Sequence, residues 1–511
     1  MRRFSRSLTP EFAGRPSHRD IKARGVLEGT AKNSASIVAF TEAMNGLACP
    51  CAVRILLLAH REDQGSMTLD ESIKKGPMRP VQIWISLICV LLAMIDGYEV
   101  VAMPFSMPAI AKAWDLPNSQ VGYLLSAGIF GMALGAVFVS PLADRIGRRR
   151  HIMLCLAAIT VMMALSGLSS SLWQLVFVRA VAGLFIGAMI SSLNIIVSEY
   201  ASDKRRGLVM GLYGAGLPLG SALAGFAISP LLKTFGWHAP FFFGAFLSAV
   251  LLLIVVFYLP ESIEYLVHRR PKNAIHTYNR IAVRMGHAPV DVIPVASTSL
   301  ETTGTKQGLG EFLQSPLLVR SIFLWIGYAL LISSFYFANT WTAKIISDAT
   351  GDAYLGIRIA MLIQFGGVLG AVLFGVLTLW IHGRLATILL LALGAVAFSL
   401  YAQFTGVLSL AMVLAFAIGV CANGGVAAFY AISPSIYPTV LRGTGVGLMI
   451  GFGRGIAILA PLLTGYMLSH YWTPVDAYSF FAIVMGLSAV ATIGLHLTFR
   501  KASTVPVQTQ G

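Results

Sequence analysis

Residues 118–150 read NSQVGYLLSAGIFGMALGAVFVSPLADRIGRRR. No charged side chain occurs from Asn118 to Ala143, whereas five occur within the next seven positions. An α-helix rises about 1.5 Å per residue, so an apolar run of this length crosses a hydrocarbon core of about 30 Å. The stretch therefore predicts a membrane-spanning helix that ends in a basic loop.

The composition of the whole chain agrees with this interpretation. Of its 511 residues, 56% are hydrophobic and only 12% are charged, and the mean hydropathy is +0.76. Soluble domains carry about 25% charged residues, and disordered segments combine low hydrophobicity with high charge. Both classes are excluded for most of the chain, and a membrane protein remains.

Similar apolar runs recur from Gln82 onward, and they form two sets of six. The twelve predicted spans cover about residues 82–107, 118–141, 151–170, 173–198, 207–232, 239–259, 321–347, 355–380, 386–404, 407–432, 443–468 and 477–499. The domain organisation expected from them is a polar N-terminal tail, a six-helix half, a central cytoplasmic loop, a second six-helix half and a short cytoplasmic tail, at residues 1–80, 81–260, 261–320, 321–500 and 501–511. We expect either that Met67 or Met78 begins the functional protein or that the N-terminal tail is a disordered cytoplasmic extension.

The cations of the loops predict the orientation. They concentrate on one side of the membrane, in the loops that contain Arg145 to Arg150, Lys204 to Arg206 and the central segment. Cytoplasmic loops carry an excess of Lys and Arg, so both termini are predicted to be cytoplasmic in a multi-pass protein of the cell inner (plasma) membrane. The net charge of +15 thus reflects topology, with the lipid bilayer as partner, and predicts no nucleic-acid binding.

The two halves share a local pattern. Ser198-Glu-Tyr200, followed by Arg206-Gly207, is echoed by Ser435-Ile-Tyr437 and Arg442-Gly443. These segments lie six spans apart and therefore have the same orientation. Parallel repeats of this kind place a substrate path between two halves. The expected fold is an all-α membrane protein with twelve transmembrane helices in two pseudo-symmetric six-helix halves, and transport is the expected class of function.

Two acids lie in the first span. Asp96 and Glu99 are three residues apart and therefore share a helix face. A charge inside a span costs about 2.5–3.5 kcal/mol on insertion scales. Two carboxylates this close repel each other in a low dielectric, and a proton relieves the repulsion. We interpret the pair as a proton-coupling site; the alternative is a structural ion pair with an arginine of another span.

Arginines lie inside two other spans, at Arg179 and Arg454. A guanidinium binds a carboxylate through two parallel hydrogen bonds and keeps its charge. We assign both residues as candidates for binding an anionic small-molecule substrate, with Arg454 preferred, and structural pairing is the alternative for each.

The loop after the second span suggests a gate. Asp144 and Gly147 are set among arginines, and a tight turn with one acid and mobile cations suits a switch on the inner side. The assigned gating residues are Asp144, Arg145, Arg148, Glu199 and Arg442. Glu199 is interpreted as a gate or loop anchor and not as a ligand.

This loop resembles the signature of the major facilitator superfamily, Gly-x-x-x-Asp-Arg-x-Gly-Arg-Arg, with Ser140 in place of the first glycine. Within that superfamily, Asp96-Gly-Tyr-Glu99 resembles the Asp-Gly-x-Asp of the aromatic acid:proton symporters, and the segment from Tyr437 to Arg454 is similar to theirs. The resemblance covers residues 82 to 500. It implies uptake of a benzoate-like or hydroxybenzoate-like carboxylate together with protons. Glu99 is one methylene longer than the aspartate of that motif, so the resemblance leaves the identity of the substrate open.

Other functions have less support in the sequence. It contains none of the motifs His-Glu-x-x-His, Gly-x-Ser-x-Gly and Gly-Lys-Ser/Thr, so no enzyme is predicted. No cofactor and no metal site are expected, and a monomer is expected. A porter of sugars, non-aromatic acids or exported drugs, and a non-transporting sensor of the same fold, remain alternatives. The seventh-span cluster of Phe335, Tyr336, Phe337, Asn339 and Trp341 either stacks on an aromatic ring or anchors the helix at the interface.

Overall fold

The computed structural model describes residues 69–293, 317–438 and 441–503. All regular elements in these ranges are helical. Within the described ranges, twelve helices are long and apolar enough to cross a membrane. They are α1 (Pro80–Ala113), α2 (Asn118–Ile146), α3 (Arg148–Gly167), α4 (Leu172–Tyr200), α5 (Arg206–Phe235), α6 (Ala239–Tyr258), α7 (Leu317–Thr350), α8 (Ala353–Leu377), α9 (Gly383–Phe404), α10 (Leu408–Ser435), α11 (Arg442–Ser469) and α12 (Pro474–Ser503). The predicted twelve spans and two sets of six are thereby confirmed.

The helices pack by one scheme that is used twice. In the first half α1 packs on α5, α2 on α4, and α3 on both α4 and α6. In the second half α7 packs on α11, α8 on α10, and α9 on both α10 and α12. Adding six to each helix number converts the first set of pairs into the second. Between the halves α2 packs on α11 and α5 on α8, which is the reciprocal pairing that a two-fold axis between the halves requires.

Glycines allow the closest of these pairs to approach. A Cβ added to Gly131 of α2 would collide with the backbone of Ala180 in α4, and one added to Gly366 of α8 would collide with the backbone of Phe416 in α10. Small residues stabilise membrane helix pairs in this way because backbones can then make van der Waals contact. A glycine at the helix contact therefore explains the close packing in both halves.

The end of α2 departs from regular helix. The helical turns pass from a π segment at Gly135–Val139 through a 3-10 turn at Ser140–Leu142 to the final turn Ala143–Ile146. Gly147 then adopts φ of 100°, a conformation that glycine adopts without steric cost. A Cβ there would also lie 2.5 Å from Oε2 of Glu261. Gly147 is thus required by the turn that joins α2 to α3.

The two halves meet at the ends of the helices opposite to the Asp144–Arg150 loop. The backbone N–H of Ser119 donates to Oγ of Ser469 at 2.9 Å, and the rings of Phe226 and Phe365 are 6.2 Å apart. We call the face that carries the Asp144–Arg150 loop the basic side. On that side, Gly211 and Gly447 lie on the second turns of α5 and α11, and a Cβ added to either would meet nothing within 4 Å.

Two segments on the basic side are ordered beyond what the sequence predicts. Leu69–Lys75 is helical although the N-terminal tail was expected to be disordered, because Leu69 and Ile73 share one face and are buried. The central loop contains the helices Ile263–Arg269 and Ala274–Arg284. Residues 1–68, including Met67, lie outside the described residues.

Candidate functional site

A cavity lies between the halves, lined by α1, α2, α4, α5, α7 and α8. Most of its lining is apolar, and its polar members are Arg179, Ser221, Tyr336, Asn339, Thr340 and Gln364. Its volume of about 90 Å³ is below the roughly 300–1,000 Å³ of most ligand pockets. An organic ligand can therefore bind there only if lining side chains or helices move apart.

Arg179 of α4 connects this cavity to the acids of α1. Its side chain is buried, with the residue 3% exposed, and Nη2 donates to the carbonyl oxygen of Glu99 at 2.9 Å. Nη1 contacts Sδ of Met163 at 3.0 Å, and the guanidinium lies 5.9 Å from the centre of the Phe241 ring. Nε has no hydrogen-bond partner among the described residues. A buried guanidinium with a free donor is suited to bind an anion.

Asp96 and Glu99 are both enclosed in the first half. Asp96 is 1% exposed and Glu99 is fully buried. Oε1 of Glu99 accepts a hydrogen bond from Oγ of Ser248 at 2.6 Å. In the described part of the chain, Oε2 of Glu99 and Oδ1 of Asp96 have no hydrogen-bond partner. Among the same residues, neither acid forms an ion pair within 4 Å with an arginine, so the structural alternative of a direct ion pair is not present.

The wall contributed by the second half combines aromatic rings with amides. Phe335 and Tyr336 of α7 line the cavity, with ring centres 5.3 Å apart in an edge-to-face arrangement. Nε2 of Gln364 donates to Oδ1 of Asn339 at 2.6 Å. Sequence reasoning did not single out Gln364 or Ser248. Polar uncharged side chains inside apolar spans were the signal that could have found them, since such groups also need hydrogen-bond partners in a membrane.

The seventh-span cluster divides between two roles. Phe335, Tyr336 and Asn339 face the cavity, whereas Phe337 stacks on Phe481 at 4.2 Å and Trp341 donates from Nε1 to the carbonyl of Pro461. Phe337 and Trp341 are fully buried inside the second half. They therefore stabilise helix packing and do not anchor the helix at a membrane interface.

Arg454 lies outside the set of residues that line the cavity. It is half-buried in α11 and within electrostatic range of the hydroxyl groups of Tyr328 and Tyr336. The ring of Tyr328 packs directly over Gly453. The two arginines are thus not equivalent: Arg179 lines the cavity, and Arg454 is near it through Tyr336.

Four of the predicted gating residues, Asp144, Arg145, Arg148 and Glu199, lie on the basic side of the first half, whereas Arg442 lies in the second half. Arg148 forms an ion pair with Asp144, with Nη2 and Oδ1 3.0 Å apart. The Tyr265 hydroxyl donates to the carbonyl of Arg145 at 3.3 Å. Arg145 itself is exposed, as is Arg442 at the start of α11. The Asp144–Arg148 pair links the end of α2 to the start of α3.

Two glutamates hold the segment after α6: Glu261 joins it to this loop, and Glu199 joins it to the end of α4. Glu261 accepts hydrogen bonds from the backbone N–H groups of Arg149 and Ser262 at 2.9 and 3.0 Å. Glu199 accepts from Oγ of Ser262 at 2.7 Å and from the backbone N–H of Ile263 at 2.9 Å, at the start of the helix Ile263–Arg269, where a negative charge is favourable. Glu199 has the contacts of a loop anchor. Glu261 was not predicted as a site residue.

The described residues contain no group of three His, Cys, Asp or Glu side chains that could hold a metal ion. The arrangement offers a buried cation, buried acids and a cavity between two halves. These are the features of a membrane transporter that binds its substrate between two pseudo-symmetric halves.

Comparison with known proteins agrees with this class. The family model of the Major Facilitator Superfamily matches residues 87–386, and the chain belongs to this superfamily, whose members are transporters and not enzymes. It is 29% identical to the 4-hydroxybenzoate transporter PcaK of Acinetobacter baylyi over 435 residues. The matched region covers 84% of this chain and 94% of that protein. It is 30% identical over 412 residues to the 4-hydroxybenzoate transporter PcaK of Pseudomonas aeruginosa, covering 78% of this chain and 89% of the relative.

The fold is also similar to solved structures. The inward open conformation of the xylose transporter XylE from E. coli superimposes with a TM-score of 0.62, covering 81% of this chain and 96% of that one, at 14% sequence identity. Identity this low supports the shared fold alone.

Proposed function

We propose that this protein imports an aromatic carboxylate together with protons by alternating access. The observation that carries the proposal is the position of Arg179, which lines a cavity between the halves and also donates to the backbone carbonyl oxygen of Glu99. A single guanidinium at that place can bind the substrate carboxylate and respond to the charge of the neighbouring acids. Arg454 remains the second candidate for the carboxylate contact.

The substrate class is supported from two sides. The relatives described above include 4-hydroxybenzoate transporters. In this chain, the rings of Phe335 and Tyr336 offer aromatic surface across the cavity from Arg179, and edge-to-face or offset contacts with a ligand ring are favourable. An aliphatic acid would satisfy Arg179 and leave this aromatic surface unused.

The proposal of proton coupling rests on the unpaired carboxylate oxygens. An ionised carboxylate that is buried without partners is very costly in free energy. Among the described residues, Oδ1 of Asp96 and Oε2 of Glu99 are buried without a partner, and Glu99 has only the hydrogen bond from Ser248 to its other oxygen. Binding a proton removes the cost, and releasing it restores a negative charge beside Arg179. We propose that this change of charge couples proton binding to substrate binding.

The direction of transport and the cellular location of the protein are also part of this proposal. The basic side carries the arginine-rich loop, so we place it, with both termini, in the cytoplasm of a cell whose inner membrane holds the protein. The halves contact each other at their opposite ends, which supports our assignment of this arrangement to the inward-facing state of the cycle. We expect the monomer to be the transporting unit.

The deciding experiment is uptake into cells and into proteoliposomes that contain the purified protein. Labelled benzoate and 4-hydroxybenzoate should accumulate against their gradients when a proton gradient is applied, and a protonophore should abolish this. Cyclohexane carboxylate and xylose should not accumulate. Accumulation of the aliphatic acid or of the sugar in place of the aromatic acids would establish another cargo, and saturable binding without uptake would establish a sensor.

A further inference from the structure

A basic groove lies on the basic side of the first half, away from the cavity. It is formed by the first turn of α3, the helix Ile263–Arg269 and the start of the helix Ala274–Arg284, and its volume is about 520 Å³. Its cations are Arg149, Arg150 and Lys272. The transport cycle proposed above makes no use of this groove.

The charge of the groove is not balanced by protein. Its only acid in the described lining is Glu261, and the carboxylate of Glu261 already accepts from the backbone N–H groups of Arg149 and Ser262. Arg150 and Lys272 are exposed, and neither forms an ion pair within the described ranges of the chain. Nε of Arg149 is buried without a partner among those residues. Nη2 of Arg149 donates to the carbonyl oxygen of Val256 at 2.5 Å. The groove therefore offers an anion the two exposed cations Arg150 and Lys272 beside the partly occupied guanidinium of Arg149.

The surroundings of the groove indicate what kind of anion fits. Met153 and Leu266 contribute to its lining. Just beyond it, Leu154 on α3 and Phe257 and Tyr258 at the end of α6 are exposed. In a membrane these side chains contact acyl chains, because α3 and α6 are transmembrane helices. A ligand that joins an anionic head to apolar chains satisfies both parts of this surface.

We propose that the groove binds the phosphate headgroup of an anionic phospholipid of the cytoplasmic leaflet. The phosphate lies between Arg149, Arg150 and Lys272, and the acyl chains follow the exposed faces of α3 and α6. Basic segments at this membrane level attract anionic lipids with a contribution of about fivefold in affinity per cation. The lipid also contacts the first turn of α3, which contains Arg148, the ion-pair partner of Asp144.

The test compares two double variants of the full-length chain in phosphatidylcholine nanodiscs. Arg150→Gln with Lys272→Gln removes two groove cations. Lys204→Gln with Arg205→Gln removes two exposed cations of the α4–α5 loop and is matched in charge. Binding of phosphatidylglycerol is measured by native mass spectrometry, and folding by thermal unfolding without phosphatidylglycerol.

We expect the groove variant to bind phosphatidylglycerol about 30-fold more weakly, with the loop variant within about twofold of the unmodified protein. Equal weakening in both variants would show a general charge effect and overturn the proposal. Inorganic phosphate that displaces the lipid at equal concentration would show a site for free phosphate and would also overturn it. If the groove variant unfolds early, Arg150→Lys, which keeps the charge, must bind as the unmodified protein does.

Discussion

The two six-helix halves share their packing but differ in their chemistry. Each packs its first helix on its fifth and its second on its fourth, with glycines at matching contacts such as Gly131 and Gly366. The first half encloses Asp96 and Glu99 beside Arg179. The cavity wall of the second half is built from aromatic rings and amides. Symmetric packing therefore does not require symmetric charges, because the close helix contacts in both halves depend on small residues and not on charged ones.

The loops after the second helix of each half differ in the same way. In the first half Asp144 pairs with Arg148, and Gly147 lies against Glu261. The corresponding loop of the second half has Leu379 and Trp380 in place of Asp144 and Arg145. Both side chains are largely exposed. Among the described residues, an ion pair joins the helix ends at this loop in the first half, and none is found at Leu379 or Trp380.

The largest expected effect is on proton coupling and tests the chemistry of the first half. Asp96→Asn keeps the shape of the side chain and removes the titrating group, so accumulation against a gradient should be lost completely. The measurement is uptake into proteoliposomes with an imposed proton gradient. Glu99→Asp is the control and should still accumulate substrate. Uphill uptake by Asp96→Asn would contradict the assignment.

The second prediction separates Arg179 from Arg454. Arg179→Lys keeps the charge but loses the two-pronged donor geometry, so carboxylate binding should weaken by about 10- to 100-fold. Arg454→Lys is the matched variant in the other half and should weaken carboxylate binding less than Arg179→Lys does. The measurement is a binding titration with 4-hydroxybenzoate and its amide, and the Arg179 effect should be absent for the amide. A larger effect at Arg454 would place the carboxylate in the second half.

The third prediction tests the packing symmetry. Gly131→Val and Gly366→Val should each lower the free energy of unfolding by about 1–3 kcal/mol or more, because the added carbons meet the partner backbone. Gly211→Val, where nothing lies within 4 Å, is the control with the same exchange. Thermal unfolding in detergent measures all three. A large loss in one half with none in the other would show that the two helix pairs are not equivalent.

The smallest effect is expected in the loop. Asp144→Asn removes an ion pair whose acid is 58% exposed, and exposed pairs contribute about 0.2–1 kcal/mol. The rate of the inward–outward transition should change by less than about fivefold, with substrate affinity unchanged, as followed by fluorescence of labels on the two halves. Leu379→Gln in the second half should change neither quantity. A loss of affinity in Asp144→Asn would link the loop to the cavity.

The number of spans, the division into two halves and the family resemblance were all accessible from the sequence. These features depend on local properties, such as the length of the apolar runs and the spacing of Asp144 and Gly147, which need no knowledge of distant contacts. The buried charges Asp96, Glu99 and Arg179 could be found for the same reason, since any charge in an apolar run stands out.

The tertiary structure decided which of these residues meet. Arg179 and Arg454 look alike in the sequence, but Arg179 lines the cavity and Arg454 lies by Tyr328. Gln364 joins Asn339 across two helices, and Glu261 reaches a loop 112 positions earlier in the chain. Such contacts depend on how six or more helices converge, and that convergence follows from packing between residues far apart in the chain, for which no local pattern carries a signal.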